Sequence, residues 1–186
     1  MIRLFIAINF DNPTLQALGE FQEKLINLNQ GQPVRWVKPS IFHLTLHFLP
    51  CKNQEQVEAV KNILARLAPQ TRVFELAIGE LGAFPNDSDP RVIKIDMKTK
   101  DQELANLQAS LGKELEKLGF EIDRRPWQPH LTLGRIKLPL PKKLNLSLTP
   151  PSLRFRVTKI DLMQSVLFKN GPAHSIVSSC ELYEHL

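Results

Sequence analysis

The tetrapeptide His-Leu-Thr-Leu occurs twice in this chain, once as His43-Leu44-Thr45-Leu46 and once as His130-Leu131-Thr132-Leu133. About half of the 186-residue chain separates the two copies. Each copy is preceded by a tryptophan and a proline, which are Trp36, Pro39, Trp127 and Pro129. Identical motifs in matching contexts indicate an internal duplication. We therefore expect two lobes related by an approximate two-fold axis.

Helical and strand patterns alternate along the whole chain. Apolar residues at spacings of three and four predict helices from Asp11 to about residue 28, over about 53–67 and over 100–118. Short runs rich in β-branched and aromatic residues predict strands at 3–9, 34–37, 41–48, 73–81, 92–97, 130–136, 154–167 and 175–183. No low-complexity linker separates these elements. We expect one α+β domain covering residues 1–186.

Each tetrapeptide lies in a predicted strand, where successive side chains point to opposite faces. His43 and Thr45 therefore share one face of the first strand, and His130 and Thr132 share one face of the second. If the lobes face each other, two imidazoles and two hydroxyls converge on one pocket. One histidine can then accept a proton from water while the other, protonated, donates to a departing ribose oxygen. Such a set suits cleavage of a cyclic phosphodiester without a metal.

Two further side chains are candidates for substrate binding. Arg135 can stabilise charge on a phosphate, but regular alternation places it on the face opposite to His130. Its participation therefore requires a bulge or a strand end at Gly134. Phe48 can stack on a base, as can the other aromatic residues Phe10, Trp36 and Trp127, although such residues are more often part of the core.

The three remaining histidines are expected to lie outside the chemistry. By regular alternation His47 shares the face of His43, but four strand residues span about 13 Å, which is too far for both to bind one metal. We expect His47 to be a rim or structural residue. His174 and His185 have no recognisable partners in the sequence, and we expect them at the surface.

Charge and cysteine usage narrow the class of protein. The formal net charge of +5 favours an anionic partner, although the basic residues are spread along the chain. Arg124 and Arg125, beside Trp127, form a small basic and aromatic segment. The two cysteines form no paired framework, so we expect a cytoplasmic protein. No apolar stretch approaches the roughly 20 residues that span a bilayer, and the N-terminal run is too short for a signal peptide, so no membrane role is expected.

The two tetrapeptides and their surroundings resemble the 2H phosphoesterase superfamily, which is named for paired H-x-T/S-x motifs. The chain is most similar to the bacterial and archaeal RNA 2′,3′-cyclic phosphodiesterases once called 2′-5′ RNA ligases. The segments that carry the resemblance are Arg3-Leu4-Phe5-Ile6-Ala7, Arg35-Trp36-Val37, the run from His43 to Leu49, Leu81-Gly82-Ala83-Phe84-Pro85, and the run from Arg125 to Arg135. The resemblance implies a bilobal α+β fold, with two antiparallel sheets facing a central cleft and helices outside.

The resemblance also implies an activity and a role for each motif residue. RNA with a terminal 2′,3′-cyclic phosphate would be hydrolysed to a 2′-phosphomonoester without a metal or other cofactor, and the protein is expected to be a monomer. His43 would donate a proton to the O3′ leaving group, and His130 would accept one from water. The phosphate would be held by Thr45, Thr132 and Arg135. A pseudo-symmetric site can run in either direction, so the two histidine roles stay open.

Three alternative functions remain open at this point. The same fold can support 2′-5′ ligation of RNA ends, although hydrolysis should dominate in water. It can also act on a small cyclic phosphate or a 2′,5′-oligonucleotide, because substrate length depends on loop shape. A non-catalytic module that binds RNA ends is the third alternative, and the presence of both histidines and both threonines argues against it.

One departure from the family occurs at Pro50 and Cys51, where a glycine usually follows Phe-Leu.

Overall fold

The computed structural model describes residues 2–51, 53–137, 140, 143–168 and 171–184. Within these residues the helices are α1 (Asn12–Leu28), α2 (Gln54–Leu67) and α3 (Glu103–Lys117). The strands are β1 (Ile2–Asn9), β2 (Val34–Trp36), β3 (His43–Cys51), β4 (Phe74–Phe84), β5 (Val92–Lys98), β6 (His130–Ile136), β7 (Arg154–Val157), β8 (Lys159–Phe168) and β9 (Gly171–Glu181). Two short 3-10 helices cover Pro39–Ile41 and Ala68–Gln70.

Of the three described helices, α1 and α2 begin at capping side chains, and each of the three buries one apolar stripe. Asp11 accepts a hydrogen bond from the Thr14 amide at 2.9 Å, which caps α1, and Asn53 accepts one from the Gln56 amide at 3.0 Å, which caps α2. The stripes consist of Leu18, Phe21 and Leu25 in α1, Val57, Val60 and Leu64 in α2, and Leu104, Leu107, Leu111 and Leu115 in α3. Among the described helices, none is both long and apolar enough to cross a bilayer.

The described strands join one sheet in the order β7-β4-β5-β6-β3-β1-β8-β9, and β2 pairs with β6 beside this path. Every strand pairing is antiparallel. The two motif strands, β3 and β6, are neighbours at the centre. On one side β1 and β3 flank α1 along the chain, with β2 between α1 and β3, and on the other side β5 and β6 flank α3. The predicted antiparallel α+β fold is confirmed, but the two expected sheets are joined through the β3–β6 pair into one continuous sheet.

The segment predicted as one strand over 154–167 is two strands, and that prediction was wrong. The chain leaves β7 at Val157, which pairs with β4, and enters β8 at Lys159, which belongs to the strand that pairs with β1. Only Thr158 separates them, so the two strands lie within about 7 Å of each other along the chain. Because β4 and β1 belong to opposite halves of the sheet, the sheet must curl to bring them to one continuous segment. The alternating pattern does not reveal that the partner strand changes.

Candidate active site

The two motif strands pair through the same position of the repeated tetrapeptide. Leu44 of β3 and Leu131 of β6 are opposite each other in an antiparallel pair, and both side chains are fully buried. This register sets His43 opposite Thr132 and Thr45 opposite His130. The two histidines are therefore diagonal neighbours, whose Cα atoms are expected about 7–8 Å apart. The four polar motif side chains form one cluster across the β3–β6 pair, on the face opposite to the buried leucines.

Both motif histidines are held in the same orientation by a backbone carbonyl. Nδ1 of His43 lies 2.8 Å from the Ile41 carbonyl oxygen, and Nδ1 of His130 lies 2.7 Å from the Gln128 carbonyl oxygen. A carbonyl oxygen can only accept, so Nδ1 carries the proton and donates it in each ring. Nε2 is then the nitrogen left to exchange a proton with a substrate. The duplication thus repeats the tautomer as well as the residue.

His43 lies in an aromatic environment. Its ring centroid is 4.8 Å from that of Phe5 and 5.2 Å from that of His174. Burial, together with the charges of His174 and His130, lowers the pKa of His43 to about 4. His43 is therefore neutral at pH 7 in the free protein. The electrostatic coupling to His130 agrees with the close approach of the two motif strands.

His130 lies in a more polar environment. The Phe84 ring contacts it edge-on at a centroid distance of 4.8 Å, and Lys94, which forms an ion pair with Asp96, lies over the same phenylalanine. Burial lowers the pKa of His130, the positive charges of Lys94 and Arg135 lower it, and the negative charge of Asp96 raises it. The two halves of the site therefore differ, with rings around one histidine and charges around the other.

A bulge in β6 brings Arg135 to the side of the sheet that carries His130. Lys94 pairs with Thr132 and Ile93 pairs with Gly134, so Leu133 is an extra residue in β6. The extra residue shifts the alternation by one position. This confirms the irregularity at Gly134 that the sequence argument required. The influence of the Arg135 charge on the pKa of His130 fits the same placement.

Gln22 of α1 anchors this bulge. Its side-chain nitrogen donates to the Leu133 carbonyl at 2.9 Å and to the Val37 carbonyl at 2.8 Å, and the residue is only 3% exposed. The Val37 amide also donates to the Leu133 carbonyl at 2.8 Å. A side chain at Gly134 would be obstructed, because a Cβ there would lie 2.8 Å from Val34 and 3.1 Å from Trp36. The bulge is thus fixed by a helix on one side and by β2 on the other.

A second bulge occupies the same position of β3 and contradicts the expected face of His47. Ala7 pairs with Thr45 and Ile6 pairs with His47, so Leu46 is the extra residue. His47 therefore points to the core face with Ile6, and its Nε2 donates to the Gln108 carbonyl of α3 at 2.8 Å. It is a structural residue, but it does not share the face of His43. The same shift turns Phe48 outwards, where it is 67% exposed and its ring centroid lies 6.2 Å from that of Phe5.

His174 is a neighbour of the motif histidines that the sequence argument missed. It pairs with Ser165 in the β8–β9 hairpin, and its ring centroid lies 4.9 Å from that of Phe5 as well as 5.2 Å from that of His43. The prediction that His174 lies at the surface was wrong, because the strand order of the sheet places the β8–β9 hairpin beside β1. No local pattern signals this, since β8 and β1 are far apart in sequence. His185 lies outside the described residues.

The other aromatic and basic candidates belong to the core or to local ion pairs. Phe10 is 7% exposed and packs edge-on against Phe155, while Trp36 and Trp127 are partly buried against the core. Arg124 contacts Glu116, and Arg125 binds Asp123 so closely that the pKa of that carboxyl falls to about 2. Acidic partners thus neutralise the basic segment beside Trp127. These residues do not join the four polar motif side chains.

Comparisons with known proteins identify relatives in sequence and in structure. A family model described as the 2′-5′ RNA ligase superfamily matches residues 17–166. An RNA 2′,3′-cyclic phosphodiesterase of Archaeoglobus fulgidus is 31% identical over 93% of this chain and 96% of its own length. One from Thermotoga maritima is 28% identical over 97% of this chain and 95% of its own. A crystal structure of a Thermus thermophilus protein superposes with a TM-score of 0.85 at 27% identity, covering 99% of this chain and all of that one.

Proposed function

Since the chain belongs to the 2′-5′ RNA ligase superfamily, we propose that it is an RNA 2′,3′-cyclic phosphodiesterase. The substrate is an RNA with a terminal 2′,3′-cyclic phosphate, and the product carries a 2′-phosphomonoester. One observation above all supports this function, namely the pair of imidazoles with matching tautomers across β3 and β6. Relatives with that activity in their names match nearly the whole chain.

The proposed reaction is an acid–base hydrolysis. Water attacks phosphorus, its proton passes to Nε2 of His130, and the bond from phosphorus to O3′ breaks. Protonated His43 gives its proton to O3′, so that one water is consumed and a 3′-hydroxyl and a 2′-phosphate are formed. Solvent exchange then restores the two protonation states. Neither step calls for a metal, and we propose that the reaction proceeds without one.

The direction of the proposed proton transfer depends on the bound substrate. In the free protein burial lowers the pKa of His43 to about 4 and also lowers the pKa of His130. A phosphate bound between the rings raises both pKa values, because a negative charge favours the protonated imidazole. Arg135 keeps the His130 side more positive, which favours His43 as the proton donor once the phosphate is bound.

The remaining polar motif side chains hold the phosphate in this proposal. The hydroxyls of Thr45 and Thr132 lie on the same face as the two imidazoles, so they can donate to the non-bridging oxygens as charge builds up on them. Arg135, turned to that face by the bulge at Leu133, adds a guanidinium. Phe48, exposed beside Phe5, stacks on the terminal base.

We also propose that residues 1–186 form one domain of two lobes, each carrying one H-x-T-x motif. The matching β1-α1-β3 and β5-α3-β6 segments and their junction at Leu44 and Leu131 support this division. The protein is proposed to be a cytoplasmic monomer that binds RNA ends. Cys51 and Cys180 are free thiols, as is typical of a reducing compartment. A light-scattering mass of one chain would test the oligomeric state.

The direct test is an assay of a short RNA with a 2′,3′-cyclic phosphate end in the presence of EDTA. The parent protein should form a 2′-phosphate, whereas His43→Ala and His130→Ala should each lose at least about 100-fold in rate. Circular dichroism melts would establish that both variants are folded. Partial recovery on addition of free imidazole would attribute the loss to the missing proton carrier. Turnover only with added metal, or none at all by the parent, would overturn the proposal.

A further inference from the structure

Two arginines lie directly opposite each other where β2 pairs with β6. Arg35 and Arg135 are cross-strand partners and both are exposed. Among the residues that the structure describes, no acidic side chain forms an ion pair with either guanidinium. Like charges in directly opposite positions destabilise a sheet. A bound anion between or beside the two guanidinium groups would offset this repulsion.

The pair lies on the side of the sheet that carries the motif histidines. Cross-strand partners share a face, and the bulge at Leu133 turns Arg135 to the face of His130. Arg35 therefore points to that same face, from β2, which borders β6 on the same edge as β3. Its position is rigid, because Trp36 pairs with Gly134 and the Lys137 amide donates to the Pro33 carbonyl at 2.7 Å.

The tip of the β8–β9 hairpin adds an aromatic ring next to Arg35. A Cβ on Gly171 would lie 3.2 Å from the Arg35 Nη2 atom, so the hairpin reaches this guanidinium. Phe168 is the cross-strand partner of Gly171 and therefore shares its face. The phenylalanine is 61% exposed. The face of the hairpin tip that meets the Arg35 cation thus also carries an open aromatic ring, and this combination binds single-stranded nucleic acid without sequence preference.

We propose that Arg35 binds the phosphodiester that links the terminal nucleotide to the one before it, and that Phe168 stacks on the base of that preceding nucleotide. This inference rests on the proposed function, and it specifies RNA of two or more nucleotides as the preferred substrate. A phosphate held at Arg135 and a second one held at Arg35 would also relieve the repulsion between the two guanidinium groups.

The test compares two substrates that differ by one phosphodiester. Uridine 2′,3′-cyclic phosphate offers only the cyclic phosphate, whereas the dinucleotide UpU with a 2′,3′-cyclic phosphate end offers both phosphates. The parent should have the higher kcat/KM with the dinucleotide. In Arg35→Gln, the ratio of the dinucleotide value to the mononucleotide value should fall about 10- to 100-fold, as expected for the loss of a charge-assisted hydrogen bond. Phe168→Ala should lower the same ratio.

Salt dependence and matched variants separate phosphate binding from a structural effect. For the dinucleotide, the slope of log kcat/KM against log salt concentration should be shallower by about 0.7 in Arg35→Gln, as expected for one lost contact to a single strand. Arg35→Lys keeps the charge and should keep the slope. Arg66→Gln removes an exposed arginine on α2, which binds Glu114, and serves as the control.

Each outcome decides between the two proposals. A parent-like ratio and salt slope in Arg35→Gln, while the parent turns over both substrates, would overturn the inference about Arg35 and leave the proposed function standing. Equal losses with both substrates would also overturn it, because the arginine would then act on the cyclic phosphate or on folding. If the parent turns over neither substrate, the proposed function fails, and this inference fails with it.

Discussion

Phe48 and Arg135 occupy the same position of the two motif strands, three residues after the threonine and just beyond a bulge. The extra residue is Leu46 in β3 and Leu133 in β6, and it turns the side chain two positions later to the face of the histidines in both strands. The duplicated backbone thus presents an aromatic ring at one end and a guanidinium at the other. In the proposed reaction, this difference gives the two nearly symmetric histidines distinct surroundings along the substrate.

Removal of the ring at position 48 should weaken substrate binding without loss of stability. Phe48 is 67% exposed, so Phe48→Ala removes little buried area. Stacking of a base on an aromatic side chain contributes about 1–3 kcal/mol, so KM for a cyclic-phosphate RNA should rise roughly 10-fold or more. Leu28→Ala, at a 46% exposed position on α1, is the control. An unchanged KM would place the base elsewhere.

The acid and base roles can be separated with a substrate whose 3′-bridging oxygen is replaced by sulfur. A thiolate leaves without protonation, so the variant that lacks the general acid should regain most of its activity with this substrate. We expect recovery in His43→Ala and none in His130→Ala. Steady-state rates with the oxygen and sulfur substrates provide the measurement. The reverse pattern would mean that His130 is the proton donor.

Gln22 should support the site through the backbone of β6. Gln22→Met keeps the side-chain length but leaves the Leu133 carbonyl with one hydrogen bond fewer, and it removes a partner from the Val37 carbonyl. The free energy of unfolding should fall by about 1–3 kcal/mol, since buried acceptors lose a partner. Urea titration measures this, and kcat should fall as Arg135 loses its fixed position.

The exposed Gln16→Met, which removes only a surface contact to Glu20, is the control for that variant. It should leave both the free energy of unfolding and kcat near the parent values. A loss of stability in Gln22→Met without any loss of kcat would show that the bulge does not depend on this side chain.

Stability should depend on pH through His43. Its pKa is about 4 in the folded protein and near 6.5 when unfolded. Between these values the unfolded chain binds the proton and the native protein does not, so the free energy of unfolding falls as the pH drops from 6.5 to about 4. The loss attributable to this residue is on the order of 3 kcal/mol.

Urea titrations at several pH values, for the parent and for His43→Gln, test this dependence. The variant cannot take up the proton at this position, so its stability should fall less steeply over the same range. Equal slopes for the two proteins would show that His43 is not the buried neutral group described here. His47, His130 and His174, whose pKa values are also lowered by burial, contribute to the slope that remains.

Much of the fold could be predicted because the relevant signals are local. The three helices follow from apolar spacing and lie within about three residues of their predicted ends, and His130–Ile136 was predicted with its observed bounds. The prediction of a single strand over 154–167 was wrong because the signal that divides it is not local. Its residues alternate without a break, whereas the change of partner from β4 to β1 is a property of distant strands.

By itself the sequence determined most of the helices and strands, because their apolar spacing is a property of neighbouring residues. It also determined the duplicated motif, and with it the four polar side chains that meet across β3 and β6. Only the tertiary structure decided which face each later side chain takes. Because of the bulges, Phe48 and not His47 lies on the face of His43, and Arg135 lies on the face of His130. The curled sheet brings His174 beside His43. Strand register depends on pairing between segments far apart in the chain, and a shift of one residue reverses every face beyond it.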